Sequence, residues 1–479
     1  MAAHHAASVC QARRMTSHPY AERYPVLRGM PSEGRSRDDI LGELRDMATA
    51  EDSFWQTGKA SGSFYCGDMD HYAFMSQAFA MYGHMNALQR DVCPSATRFE
   101  GEIIAMGLDL FNASAATAAG GDPVGMITSG GSGSILHAVL AYREHARQIR
   151  NVTRPNFVKP ETGHPAFDKA CHLLGVELRV ARVDQATATV DVEHVGELID
   201  EQTIAILGSA CNYGYGTVDP IAVLGRLAIA RGVGMHVDGC LGGFILPFGE
   251  QLGFPIAPFD FRVPGVTSIS ADTHKYGYGL KGTSLLLFRD RALRNSQYFF
   301  QTGWSGGKYC SPGIEGSRSS GLLASTWAGM VATGRSGYLG YAKQIFDTAY
   351  AMQDAVRSHS ELRVIGEPSF LFAFMASDTS DIDIYHVNDA LRARGWRMNG
   401  LQYPNAIHMC VTRPQTQAGV VDAWADDLAT AVQHARDNRG TTPKSSAIYG
   451  GVAGGLSDEA DEFIRAVMTE MMDDQQSVP

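Results

Sequence analysis

Two periodicities in the apolar and polar residues alternate along the chain and predict strands and helices in turn. The apolar run 124–128 is followed by a glycine-rich loop and by a segment with helical spacing of apolar residues. The runs 203–207 and 233–237 have the same character, and a helical segment that begins near residue 221 separates them. This alternation predicts an α/β fold with a mostly parallel sheet that is covered on both faces.

Helical periodicity is present on both sides of this region. It predicts a helix at about 38–48, an apolar and methionine-rich helix at 74–88, and a further helix at 338–358. Later apolar segments alternate as in a small sheet. A glycine-rich linker at 450–455 then leads into a final helix with an acidic start, predicted at 457–472.

Polar or glycine residues stand at or just beyond the ends of predicted strands, at Gly131, Ser209, Asp238 and Lys275. Ligands bind outside the carboxyl ends of the strands in parallel sheets, so we expect these four residues to lie close together. The loop 129–134 also precedes a helix, and the free N–H groups of a helix N-terminus can hold a phosphate. A plain tight turn would explain the same loop.

The glycine-rich stretch 270–282 contains two lysines, Lys275 and Lys281, of which Lys275 is the candidate nucleophile. A nucleophilic lysine must be held as the neutral amine, by burial or by a neighbouring positive charge. We expect His274 and Lys281 to supply that charge. The alternative is a solvated lysine pair in a surface loop.

A phosphate cradle, a lysine and a strand-end carboxylate are together the groups that bind pyridoxal phosphate. The carboxylate, here Asp238, keeps the pyridine nitrogen of that cofactor protonated, so that the ring can accept electrons. The flat imidazole of His164 is suited to stack on such a ring. These residues indicate the cofactor without choosing a reaction.

Composition narrows the class of protein. A length of 479 residues predicts two or three domains, and 44% hydrophobic with 19% charged residues is typical of a soluble globular protein. A net charge of −11 without a basic run argues against nucleic acid as a partner. The eight cysteines are scattered without a CxxC pair, which is typical of reduced thiols in a cytosol and gives no metal signature.

The chain shows no sign of a membrane span. No apolar run approaches the roughly 20 residues that cross a bilayer, and residues 1–15 lack the apolar core of a secretory signal. We therefore expect a soluble, cytoplasmic protein. Secretion by a route that needs no signal peptide stays open.

The stretch 270–282, with its His-Lys pair, Tyr-Gly-Tyr and second lysine, resembles the cofactor-lysine motif of the sphingosine-1-phosphate lyases. These enzymes belong to the pyridoxal-phosphate-dependent, group II decarboxylase-like family with the aspartate-aminotransferase fold. The resemblance runs from about residue 55 to 450. Its other motifs are Gly62–Tyr65, Thr128–Gly131, His164–Ala170, Gly208–Pro220, Asp238–Phe244, Gly316–Arg318 and Ala447–Gly450.

The resemblance implies a role for each matching residue. The implied cofactor-binding residues are Gly131, Ser132, His164, Ser209, Asp238, His274, Lys275 and Ser317. Among them, Lys275 forms the Schiff base, and Ser317 reaches in from the second subunit of a homodimer with shared active sites. The implied catalytic residues are Lys275, Tyr65 and Lys281, and the implied substrate-binding residues are Tyr65, Gln89, Tyr213 and Lys281.

The resemblance also implies the architecture and the reaction. Together with the pattern of the chain, it predicts a helical dimerisation segment 31–100, a large domain 101–320 that binds pyridoxal phosphate, and a smaller α+β domain 321–479. The pattern of residues alone predicts a disordered stretch 1–30, which lies outside the resemblance. The implied reaction is retro-aldol cleavage of a phosphorylated long-chain base to a long-chain aldehyde and phosphoethanolamine. The alternatives are an amino-acid decarboxylase of the same fold and a catalytically silent relative.

Two positions depart from the family pattern. Gln89 stands where the family has His in an Asn-x-Leu-His-x-Asp element, and Arg90 is the candidate to compensate for it. The glycine loop reads Ser132-Gly133-Ser134 where the family has Thr-Glu-Ser. Both departures bear on substrate affinity more than on the cofactor.

Overall fold

The computed structural model describes residues 19–445 and 458–476. The linker predicted at 450–455, the motif 447–450 and most of the stretch 1–30 therefore lie outside the described residues. The division into segments 31–100, 101–320 and 321–479 remains a proposal.

A seven-stranded sheet with the strand order β1-β9-β8-β7-β6-β2-β3 forms the centre of the fold. Its strands are β1 (Val124–Thr128), β2 (Asn156–Pro160), β3 (Glu177–Ala181), β6 (Thr203–Ser209), β7 (Gly234–Asp238), β8 (Ser268–Ala271) and β9 (Ser284–Phe288), and a separate pair is formed by β4 (Val183–Asp184) and β5 (Thr189–Val190). Strand β9 runs antiparallel to both of its neighbours, and the other strands are parallel to one another. The prediction of a mostly parallel sheet is confirmed.

Helices precede, alternate with and follow these strands. They are α1 (Arg37–Trp55), α2 (Met69–Tyr82), α3 (Pro94–Leu110), α4 (Ala113–Ala118), α5 (Gly131–Arg150), α6 (Ala166–Leu174), α7 (Val192–Leu198), α8 (Ile221–Arg231), the 3-10 helix Gly242–Phe244, α9 (Leu246–Gln251) and α10 (Arg291–Asn295). All residues of β6 and of β9 are buried. A strand that is covered on both faces reads as a continuous apolar run, which is why both segments lack alternation.

The rest of the chain adds a hairpin and a second, antiparallel sheet. The hairpin joins β10 (Phe299–Gln301) to β11 (Tyr309–Ser311). The second sheet has the order β12-β13-β15-β14, with β12 (Leu362–Val364), β13 (Leu371–Ala376), β14 (Asn399–Leu401) and β15 (Ala406–Cys410). The helices here are α11 (Ser320–Arg357), α12 (Ile384–Ala393), the 3-10 helix Arg413–Thr416, α13 (Val420–Asp437) and α14 (Asp458–Gln476).

The pattern placed β1 correctly but only half of α11. This helix begins at Ser320, well before the predicted residue 338, and bends at Gly334, where φ is 59°. The glycine interrupts the helical periodicity, and the first half is buried against α2 and α3, so it has no polar face to mark it. In the described ranges, no helix combines the length and apolar content needed to span a bilayer.

The parallel strands bring their polar carboxyl ends to one edge of the central sheet. Ser209 and Asp238 are register partners at the ends of β6 and β7, and Asp238 pairs in turn with Ser270 of β8. The turn that carries Lys275 follows β8, and Gly131 follows β1. The predicted convergence of these positions at the strand ends is present in the structure.

Candidate active site

Lys275 is joined to a buried carboxylate three residues before it. Its Nζ atom lies 2.9 Å from Oδ2 of Asp272, whose side chain is only 1% exposed. Burial by itself lowers the pKa of Lys275, but Asp272, Cys240 and Tyr65 raise it by more, and the resulting pKa is above that of an ordinary lysine. Lys275 is therefore a charged ammonium in this structure.

This charge state corrects the expectation from the sequence. His274 and Lys281 were expected to help keep Lys275 neutral, and that prediction is wrong, because Asp272 and its neighbours raise the pKa of Lys275 by more than burial lowers it. The lysine that loses its proton readily is Lys281. Burial, assisted by the positive charge of Lys275 and opposed by Asp272, lowers the pKa of Lys281 to about 8.

Lys281 lies over the ring of Tyr65, with its Nζ atom 4.8 Å from the ring centroid. The amine also donates a hydrogen bond to the carbonyl oxygen of His274, at 3.2 Å. Tyr65 is buried and packs edge-on against Tyr276, and burial raises its pKa far above the ordinary value. The Tyr65 hydroxyl therefore keeps its proton, whereas the Lys281 amine exchanges one near neutral pH.

The glycine loop and the imidazole of His274 lie side by side. The Nδ1 atom of His274 donates to the carbonyl oxygen of Thr283 at 2.6 Å, and a Cβ added at Gly130 would lie 3.6 Å from the imidazole ring. Burial lowers the pKa of His274. Gly131 and Ser132 open helix α5, whose first N–H groups have no partner within the helix.

Asp238 ends β7 in a buried position, with 7% of its surface exposed. Its Oδ1 atom accepts hydrogen bonds from the backbone N–H of Cys240 at 3.0 Å and from the Ser270 hydroxyl at 3.3 Å. Ser270 also contacts the Nε2 atom of His236 at 3.1 Å. A buried network therefore fixes the carboxylate at the end of its strand.

His164 and Tyr213 form an exposed wall of the site. Their rings are perpendicular, with centroids 6.5 Å apart, and Tyr213 stacks on His408 at 4.7 Å. The Nδ1 atom of His164 accepts from the backbone N–H of Ala166, which orients the imidazole. The Tyr213 hydroxyl accepts a hydrogen bond from Nδ2 of Asn399 at 2.9 Å.

Gln89 and Ser317 stand apart from these residues. Both are exposed, and within residues 19–445 and 458–476 neither makes a hydrogen bond with Lys275, Tyr65 or Lys281. The Ser317 hydroxyl instead accepts from Nδ2 of Asn86 at 2.9 Å.

Arg90, the candidate to compensate for Gln89, already forms an ion pair within its own chain. Arg90 pairs with Glu100, which also binds Arg318 at 2.7 Å. At the other departure, a Cβ on Gly133 would lie 2.7 Å from the Ser129 hydroxyl. That hydroxyl donates to Glu315 at 2.6 Å, so a carboxylate from another part of the chain lies beside the loop.

Comparisons with known proteins identify the family of the chain. The family described as "Pyridoxal-dependent decarboxylase conserved domain" matches residues 25–374. A sphingosine-1-phosphate lyase of Dictyostelium discoideum is 38% identical over 93% of this chain and 81% of its own length. The Arabidopsis thaliana sphingosine-1-phosphate lyase is 41% identical over 88% of this chain and 77% of its own length. The chain belongs to the sphingosine-1-phosphate lyase family.

A solved structure extends this likeness to the whole fold. The sphingosine-1-phosphate lyase of Burkholderia pseudomallei K96243 superposes with a TM-score of 0.90 at 49% identity, over 97% of this chain and all of that one. The cofactor of this pyridoxal-dependent family is pyridoxal phosphate. The predicted fold class and cofactor are confirmed.

The residues present fit that cofactor. A Cβ at Gly131 would lie 2.7 Å from Oδ2 of Asp272, so glycine lets the start of helix α5, with its free N–H groups, approach the turn that carries Lys275. The Oδ1 atom of Asp272 is buried and has no hydrogen-bond partner among the described residues, as expected beside a group that completes the site. Asp238 ends β7, and Lys275 lies in the turn after the neighbouring strand β8, so both belong to the same edge of the sheet.

Reasoning from sequence missed Asp272 and Asn399. An acid three residues before the candidate lysine was a visible signal for Asp272, because this spacing lets the two side chains meet across a turn. Asn399 gave no signal, since it lies 186 positions from the tyrosine that it contacts.

Proposed function

We propose that this chain catalyses the retro-aldol cleavage of phosphorylated long-chain bases to a long-chain aldehyde and phosphoethanolamine. The observation that carries the proposal is the cluster of Lys275, Lys281 and Tyr65 next to a fitting cofactor site. Relatives that match most of the chain bear the name sphingosine-1-phosphate lyase, which supports the same reaction.

We assign the cofactor contacts as follows. Lys275 would hold pyridoxal phosphate covalently, and Gly131, Ser132 and His274 would hold its phosphate. Asp238 would face the pyridine nitrogen, His164 would cover the ring, and Ser209 would lie beside Asp238, its register partner. When bound, pyridoxal phosphate supplies an electron sink for the bond that breaks.

The acid and base roles follow from the proton affinities of the side chains. Lys281 accepts the proton of the substrate C3 hydroxyl, because its pKa of about 8 leaves a useful fraction of neutral amine near neutral pH. Tyr65 remains protonated and donates a hydrogen bond to the substrate. Asp272 holds the free amine of Lys275 as an ammonium, as in this structure. Tyr213 lines the wall against which the substrate lies.

The base role of Lys281 predicts a specific pH dependence. We expect kcat to rise about tenfold per pH unit below pH 8 and to level above it, because the neutral amine becomes the major form there. In Lys281→Gln this rise should be absent. Steady-state rates from pH 6 to 9 measure it, and Lys343→Gln, which removes a surface lysine paired with Asp347, should retain the rise. A rise that survives in Lys281→Gln would contradict the assignment.

We also propose a homodimer with shared active sites. Large apolar side chains that are 43–68% exposed lie on α2 and around the β10–β11 hairpin: Met69, Phe74, Met81, Phe299, Phe300 and Trp304. Exposed apolar surface of this kind favours protein association. Among the residues that the structure describes, Gln89 and Ser317 make no hydrogen bond with the site of their own chain, which supports contact with a second one.

Mixing experiments test the shared sites. Sedimentation velocity should give twice the mass of one chain. Inactive Lys275→Ala chains, mixed with chains inactivated at Ser317 by a bulky glutamate, should regain activity in hybrid dimers. A monomer, or hybrids without activity, would overturn the proposal.

The decisive test of the reaction measures two products. The purified protein, loaded with pyridoxal phosphate, should release a long-chain aldehyde and phosphoethanolamine in equal amounts from sphinganine-1-phosphate or sphingosine-1-phosphate. Carbon dioxide release from amino acids, with no aldehyde from either phosphorylated base, would instead identify a decarboxylase.

A further inference from the structure

We propose that Arg397 binds the phosphate group of the substrate, with Asn399 and Tyr213 beside it. The inference rests on the lyase function proposed above and adds a residue that lies outside every motif found in the sequence. It also gives a physical answer to the replacement at Gln89, which leaves a neutral amide where the family has an ionisable donor.

The backbone directs Arg397 toward Tyr213. Residues 396–399 lead into β14 with alternating burial, since Trp396 is 1% and Met398 is 2% exposed while Arg397 is exposed. In an extended segment, residues two apart share a face. Asn399 donates to the Tyr213 hydroxyl at 2.9 Å, so the side chain two residues earlier lies on the same face.

A second contact places Arg397 beside the segment that carries Tyr65. The N–H of Arg397 donates to the carbonyl oxygen of Lys59, and its carbonyl accepts from the N–H of Ser61, both at 2.9 Å. This segment continues directly into Gly62–Tyr65. The backbone of Arg397 is therefore fixed beside the segment that leads to Tyr65, while Asn399, two residues on, contacts Tyr213.

The positive charge of Arg397 acts on the hydroxyl of Tyr213 at the wall of the site. Partial burial of the hydroxyl, with Cys410, raises the pKa of Tyr213, and the positive charge of Arg397 acts against this rise more strongly than that of Lys275. Arg397 therefore lies close enough to influence a hydroxyl that we assign to the substrate wall.

Neighbouring cations are already paired with carboxylates. Lys59 binds Asp427 at 2.9 Å, and Arg394 lies 3.5 Å from the same carboxylate. Arg413 likewise lies 3.3 Å from Asp68. By contrast, the guanidinium of Arg397 makes neither an ion pair nor a side-chain hydrogen bond within the part of the chain that the structure describes.

A phosphate monoester needs a cation that stays charged while the reaction proceeds. Lys281 has to give up its proton to act as the base, so it cannot hold a permanent charge on the phosphate. Arginine keeps its charge at all working pH values, and its planar fork matches two phosphate oxygens at once. We therefore assign the role of base to Lys281 and phosphate binding to Arg397.

Two variants and a control test this inference. Arg397→Gln should raise the KM for sphinganine-1-phosphate and the Kd of phosphoethanolamine about 10- to 100-fold, as expected for one lost charge-assisted contact. The kcat should stay within about threefold, because this contact binds substrate and transition state alike. Arg397→Lys should fall between, since it keeps the charge and loses the fork.

The readouts separate this inference from the proposed reaction. The exposed Arg392 lies on α12, and Arg392→Gln removes the same charge and should change neither constant. The Kd is measured calorimetrically on the cofactor-loaded protein, so it needs no turnover. An unchanged Kd and KM in Arg397→Gln would overturn the inference. Weakened phosphoethanolamine binding in that variant, without any cleavage by the unmodified protein, would support Arg397 and overturn the lyase function.

Discussion

Lys275→Ala is expected to remove turnover and the covalent link to pyridoxal phosphate together. The amine belongs to the turn after β8 and is paired at 2.9 Å with a carboxylate that is only 1% exposed. In the described parts of the chain, the other lysine of this cluster, Lys281, lies over Tyr65 and has no carboxylate within ion-pair distance. Loss of the covalent nucleophile should lower kcat by about 10⁴-fold or more.

Absorbance spectroscopy and product analysis check this expectation. The band near the visible edge that a lysine-bound cofactor gives should be absent in Lys275→Ala. The matched variant Lys281→Ala removes a lysine six positions further on and should keep the band while it loses the alkaline rise in kcat. Retention of the band or of aldehyde release in Lys275→Ala would show that another amine holds the cofactor.

Local pattern was sufficient for the strands that build the site. The run 124–128 matches β1, and 203–207 lies within β6, because buried parallel strands are short apolar segments between loops. The rule that ligands meet at the carboxyl ends of such strands then brought Gly131, Ser209, Asp238 and Lys275 together before any coordinates.

The sequence pattern could not predict properties that depend on contacts between distant parts of the chain. The charge of Lys275 is decided by the direction of one side chain, that of Asp272, and the positive residues around it gave the opposite expectation. The position of Arg397 depends on pairing between segments 338 residues apart, since its N–H donates to the carbonyl oxygen of Lys59. No local periodicity encodes such a pairing. The family motifs did identify site residues in the loops next to the strands, because those residues are recognisable by type and order along the chain.

Asp238→Asn is expected to produce the second large loss, with the cofactor still attached. The amide has the shape of the carboxylate and can keep the hydrogen bonds from Cys240 and Ser270, but it carries no negative charge. A buried charge acts strongly because the surrounding dielectric constant is low. Without it the pyridine nitrogen is not held protonated, and the ring becomes a poor electron sink. We expect kcat to fall by about 10²- to 10³-fold.

Asp238→Asn should lose activity but keep the bound cofactor, whereas Lys275→Ala should lose both. The absorbance band of the bound cofactor should persist in Asp238→Asn, because Lys275 and the phosphate cradle are intact, and its pH dependence should change. Asp260→Asn is the matched control, since Asp260 is a fully buried carboxylate that pairs with Arg262. It should lower the unfolding temperature and leave kcat unchanged. If Asp238→Asn retained full kcat, the electron sink would not depend on this carboxylate, and its partner would have to be sought elsewhere along the strand ends.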